Sequence, residues 1–164
     1  MAGLVGVPAK ADHKVTVYPG DLAGWSITTQ GNGSGGFVTG PGTPPAGGVG
    51  SLQMQTPDAG DRVFASSNAL AGTALADIAT LSYSTYRTSG APALAPTLQL
   101  FVDLDGNGIY TFAEDDTLTF EPYLQSGTYA MVPGAGPVPA QCTDPCIIPG
   151  AWQTWDAAAG AWWS

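Results

Sequence analysis

Residues 97–124 read TLQLFVDLDGNGIYTFAEDDTLTFEPYL, and the reading of this stretch decides the fold. It opens on strict alternation. Leu98, Leu100, Val102 and Leu104 fall on one face and Gln99, Phe101 and Asp103 on the other, the period of a half-buried strand. It closes on a second strand pattern over residues 117–124, where Leu118 and Phe120 point inward and Pro122 marks an edge or a bulge. Between the two lies DLDGNGIYTFAE, residues 103–114. Asp103, Asp105, Asn107, Gly108 and Glu114 occupy every constrained position of the EF-hand loop D-x-[DN]-x-[DN]-G-x5-E. An EF-hand is flanked by helices and this loop by strands, so the motif predicts an ion and not a helical sensor.

The spacing suits Ca2+, which takes six to eight oxygens. Asp103, Asp105 and Asn107 offer side-chain oxygens along one curled segment. Ile109 offers its carbonyl, Thr111 a hydroxyl or a bridged water, and Glu114 both carboxylate oxygens. Gly108 permits the bend that turns these groups inward. Asp115 and Asp116 add ligands or only outer negative charge. The competing reading is an acidic connection without an ion, in which crowded carboxylates repel. Loops of this DxDGNG type resemble those of dockerins and thrombospondin-type calcium repeats, where the helical flanks are altered or absent. The expected role is structural. A weak extracellular site of roughly 10⁻⁴–10⁻³ M stays filled, and a link between strands offers no bistable element for a switch.

Working outward, strand patterns recur along the chain. They cover KVTVY (residues 14–18), residues 25–28, FVT (37–39), SLQMQT (51–56), RVFASS (62–67) and TLSYSTYRT (80–88), with Leu81, Tyr83 and Thr85 on one face. TYAMV (128–132) adds another, and AWQTWDAAAGAWWS (151–164) closes the chain with a strand and an aromatic end. The rest of residues 31–50 reads as Gly-rich surface loop. Residues 68–79 tempt a helix, but Gly72 reduces them to a loop or one helical turn. Nine or ten short strands, no repeat and no linker predict an all-β fold: one β-sandwich domain over residues 14–164, in its jelly-roll form, preceded by an arm over residues 1–13. That arm is a docking strand or a signal remnant, since PAKA resembles a small-residue cleavage site.

Composition agrees. Among 164 residues there are 23 Gly and 14 Pro, and only 10% are charged, against about 25% in an ordinary domain. Net charge is −9, which repels phosphate backbones and anionic membranes and argues against nucleic acid as a partner. No apolar run approaches the roughly 20 residues of a membrane span. The two cysteines, Cys142 and Cys146 in QCTDPC, suit a disulfide across a tight turn and an oxidising compartment. A zinc pair would need further Cys or His ligands, and His13 is the one histidine.

Support for catalysis is thin. Only His13 is available to a Ser-His-Asp set, and no G-x-S-x-G elbow occurs. GNGSGG lacks the Lys-Ser/Thr of a P-loop. Glu114 belongs to the loop, leaving Glu121 without an evident carboxylate partner. The five tryptophans are Trp25, Trp152, Trp155, Trp162 and Trp163. Trp152 and Trp155 fall on opposite faces of an extended strand. Trp152, Trp155 and Trp162 are candidates for stacking on sugar rings, against ordinary packing.

Taken together, GW (24–25), GSLQM, TLSYSTYRT, LFVDLDGNG, TFEPY and WQTWDA…WW resemble a set of poorly characterised bacterial extracellular β-sandwich domains. The resemblance implies secretion to the cell surface and a non-enzymatic role, and brings no activity with it. The expectation is a calcium-stabilised structural or adhesive module, in its specific form a self-assembling filament or sheath subunit whose apolar arm adds a strand to a neighbour's sheet edge. The alternative is a carbohydrate-binding module with polysaccharide as partner.

Overall fold

The computed structural model describes residues 16–45, 47–127 and 139–164. These residues are all-β, with eight strands and two single 3-10 turns. The strands are β1 (Trp25–Gln30), β2 (Ser34–Thr39), β3 (Gly50–Gln55), β4 (Arg62–Ser67), β5 (Ser82–Tyr86), β6 (Leu98–Val102), β7 (Asp116–Phe120) and β8 (Trp152–Asp156). They form four two-stranded sheets: β1 with β4, β2 with β3, β5 with β8, and β6 with β7. In each half of the chain an outer pair therefore brackets an inner one.

The chain divides into two compact units, residues 1–38 with 52–69 and residues 39–51 with 70–164. In the first, β1 runs antiparallel to β4 with Ile27 opposite Ala65 and Thr29 opposite Val63. Alternation half-buries Ile27, Val63 and Ala65 and exposes their neighbours. Gly35 of β2 lies against this face. A Cβ there would sit 3.0 Å from both Ile27 Cγ2 and Val63 Cγ1, so only glycine allows the close approach. This is why SGGFVT extends as a strand where sequence marked only FVT. Asp61, buried at the far end, accepts hydrogen bonds from Asn32 N (2.7 Å) and Asp58 N (2.8 Å). One carboxylate thus joins two turns and satisfies backbone donors that would otherwise be stranded.

The second unit holds the buried apolar core: Phe120, Trp155, Ala157, Ile147 and Cys146. β5 and β8 pair with Tyr83 opposite Trp155 and Thr85 opposite Gln153. β6 and β7 pair with Leu98 opposite Phe120 and Leu100 opposite Leu118. Tyr83 meets Phe120 edge-on at 5.9 Å between centroids, so the two pairs share one core. Trp155 is the largest buried side chain, and its indole N–H is satisfied by Thr85 Oγ1 at 2.9 Å. The C-terminal residues close the far edge of β7, where Thr119 and Trp163 exchange backbone hydrogen bonds of 2.7 and 3.1 Å. Gly160 permits this docking, because a Cβ would collide with the Phe120 ring.

Several expectations shift. Thr16 to Tyr18 form no strand; Tyr18 makes an isolated bridge with Asp21 instead. Lys14, Val15, the arm over residues 1–13 and TYAMV lie outside the described residues. Residues 68–79 contain one turn, Leu75–Asp77. Pro122 opens a 3-10 turn directly after β7, Pro122–Leu124. Leu104 does not continue the inner face of β6. The strand ends at Val102, and Leu104 is 64% exposed.

Candidate metal centre

The link from β6 to β7 begins with Asp103, whose carboxylate organises the turn. Its Oδ1 accepts from Gly106 N (2.8 Å) and its Oδ2 from Gly108 N (2.6 Å). Both glycines have positive φ, +74° and +81°, which aims their N–H groups back at one carboxylate. The Gly108 N–H is the main reason the Asp103 carboxyl is held below the usual carboxylate range, with the Gly106 N–H adding to it. Asp105 accepts from Asn107 N (3.0 Å) and from Asn107 Nδ2 (2.8 Å), and Asn107 Oδ1 accepts from Ile109 N (2.7 Å).

The far end of the loop is tied down by Asp115. Its Oδ1 accepts from Leu104 N (2.8 Å) and its Oδ2 from Thr111 N (2.6 Å). One carboxylate therefore bridges the two ends of the connection. Asp103, Asp105 and Asp115 bring carboxylate oxygens within 4.8 Å of one another at the surface. Such a group of hard carboxylate oxygens could hold a metal ion.

Of the six ligands predicted from spacing, Asp103 and Asp105 lie in this cluster. Asn107, Ile109 and Thr111 line the same turn through the bonds above. Glu114 lies outside the cluster and accepts from the Thr111 hydroxyl at 3.3 Å. Asp115 is the third acid of the cluster. The motif spacing selects Glu114 from the run Glu114-Asp115-Asp116, with Asp115 and Asp116 as possible additions. Glu114 N and Asp115 N both donate to Thr111 O, and it is the Asp115 carboxylate that reaches back to Leu104 N and Thr111 N.

Cys142 and Cys146 form a disulfide with Cα atoms 5.2 Å apart. Cys146 is part of the core, so the bridge pins its loop inward. Gln153 holds the same segment from β8, donating to Cys146 O (2.6 Å) and accepting from Ile148 N (2.7 Å).

The stacking candidates divide. Trp155 is 1% exposed and unable to meet a sugar. Trp162 packs on the core, tilted against Phe120 at 5.6 Å, and donates to Ala157 O. Trp152 is half-buried, edge-on to Tyr86, with its N–H given to Pro41 O at 2.8 Å. The open indoles are Trp163, 48% exposed, and Trp25, 43% exposed. Which indole stays open is decided by packing on the core and on β7, which spacing does not show.

No protein-family model, curated protein or solved structure matches the chain. No helix among the described residues is long and apolar enough to cross a membrane.

Proposed function

We propose that the chain is a calcium-stabilised, non-enzymatic structural or adhesive module of the cell exterior, built as a β-sandwich. The carrying observation is the convergence of Asp103, Asp105 and Asp115 within 4.8 Å at the end of the β6–β7 pair. β7 also supplies Phe120 to the core, so an ion that ties the loop together steadies a strand on which packing depends. The disulfide favours an oxidising, extracellular setting. The four two-stranded sheets support an all-β build, and the jelly-roll winding is carried over from the strand pattern of the sequence. Self-association into a filament or sheath, through the N-terminal arm, is the biological form of this reading.

Calorimetric titration of chelated protein tests the ion. The expected result is Ca2+ uptake that Asp105→Ala removes. At calcium ~100-fold above Kd, mass action adds about 2.7 kcal/mol, or roughly 5–11 °C in Tm for a chain of this size. Melting that is indifferent to chelator would sink the proposal. A second reading, a carbohydrate-binding module, is favoured by the exposed indole of Trp163. A glycan array with and without calcium separates the two, because a structural module leaves the array blank.

A further inference from the structure

The region around the β6–β7 loop exposes more apolar surface than an ion site requires. Phe112 is 89% exposed, Ile109 66% and Phe101 62%, alongside Leu104. Among the described residues β6 pairs only with β7, so with respect to those residues its other edge offers backbone N–H and C=O groups for strand addition. The same loop carries Asp103, Asp105, Glu114, Asp115 and Asp116. An occupant that complements all three features is extended, apolar and basic.

The chain contains one stretch with that chemistry. MAGLVGVPAKADHK, residues 1–14, holds Leu4, Val5 and Val7 followed by Lys10 and Lys14, two of only four Lys and Arg residues in the sequence. The other two are held by their own turns. Arg62 donates to Ala59 O and Asp61 O, and Arg87 to the carbonyls of Gly90, Ala91 and Ile147.

We propose that the free edge of β6, with the loop that follows it, is the acceptor for the N-terminal arm of a second copy of this chain. This rests on the assembly half of the proposed function and gives the arm a destination. The arm runs parallel to β6. Setting Leu4 beside Leu98 brings Pro8 to Val102, at the strand's end, where a missing N–H costs least. It also carries Lys10 past the strand to Leu104, among the loop acids. Apolar arm residues then cover the surface around Phe101, and salt weakens the contact by screening the lysines. Because donor and acceptor are different surfaces, the contact repeats head to tail, into a ring where the rotation closes and an open array where it does not.

Mixing two full-length variants tests this. The donor variant is Leu4→Asp with Val7→Asp, and the acceptor variant is Ile109→Ser with Phe112→Ser, whose side chains are exposed. Sedimentation should show wild type growing with concentration and each variant alone shifted at least about tenfold in its assembly midpoint. An equimolar mixture should stop at one-to-one dimers, since only one productive interface remains. Lys10→Glu with Lys14→Glu should weaken assembly and flatten its salt dependence. Wild type that remains monomeric to roughly 100 µM overturns the inference, whether the acceptor then takes the chain's own arm or a foreign basic segment. An acceptor variant that assembles like wild type also overturns it. Chelator-dependent melting, read on the same samples, keeps this failure distinct from failure of the calcium reading.

Discussion

Gln125 offers the sharpest test of how the C-terminal residues are held. It is 1% exposed, yet its amide is fully used. Oε1 accepts from Ala161 N (3.0 Å), and Nε2 donates to Ala161 O (3.1 Å) and Glu121 O (3.0 Å). The side chain acts as a strand partner for Ala161, two residues before Trp163 closes β7. Gln125→Leu keeps the approximate volume and removes all three bonds. Glu121 O retains its bond from Leu124 N (3.1 Å), so the groups left stranded are the N–H and C=O of Ala161. At about 1–3 kcal/mol for each buried unsatisfied group, the expected loss is about 3 kcal/mol. That corresponds to roughly 6–12 °C in Tm. Urea titration followed by tryptophan fluorescence measures it. Gln125→Glu sharpens the test, because an ionised carboxylate at position 125 sets oxygen against the carbonyls of Ala161 and Glu121. That raises its folded pKa above the unfolded value near ~4.3. The stability of Gln125→Glu is then highest below that pH and falls as pH rises toward neutrality, whereas Gln125→Leu lacks this extra pH dependence. A loss below about 0.5 kcal/mol for Gln125→Leu, or a Gln125→Glu variant that tracks Gln125→Leu at every pH, refutes the clamp.

Exchanging the two candidate loop acids separates spacing from geometry: Asp115→Asn should weaken calcium binding far more than Glu114→Gln in the same calorimetric titration, and the reverse order would restore the simple motif reading. Tyr83 resists ionisation because burial, and secondarily the Glu121 carboxylate, raise its pKa. A raised folded pKa gives stability that is whole below the unfolded value of about 10 and is lost as pH climbs above it. Tyr83→Phe should therefore flatten the alkaline limb of a Tm-against-pH curve, and an unchanged limb would count against it. Removing the disulfide with Cys142→Ser and Cys146→Ala should cost on the order of 2 kcal/mol from loop entropy alone, read by urea titration, and a cost near zero would mean the bridge constrains nothing.

The sequence by itself determined what depends on near neighbours. Alternation at Leu98, Leu100 and Val102 defined a strand face because successive side chains on a strand must point oppositely. Asp103, Asp105 and Gly108 defined a turn because carboxylates and positive-φ glycine act over a few bonds. Cys142 and Cys146 were close enough in the chain for a bridge to be read directly. Tertiary structure decided what depends on distant residues. SGGFVT became a strand because Gly35 lets β2 approach Ile27 and Val63, eight and 28 positions away. Trp155 is buried while Trp163 is open because β5 and the Phe120 ring cover one indole and not the other. Gln125 is buried because Ala161, 36 positions on, bonds both ends of its amide. Asp115 joins Asp103 and Asp105 in one cluster because its reach to Leu104 N and Thr111 N is set by the fold of the whole connection. Periodicity and motif are properties of adjacent residues, and partner choice is a property of the packed chain.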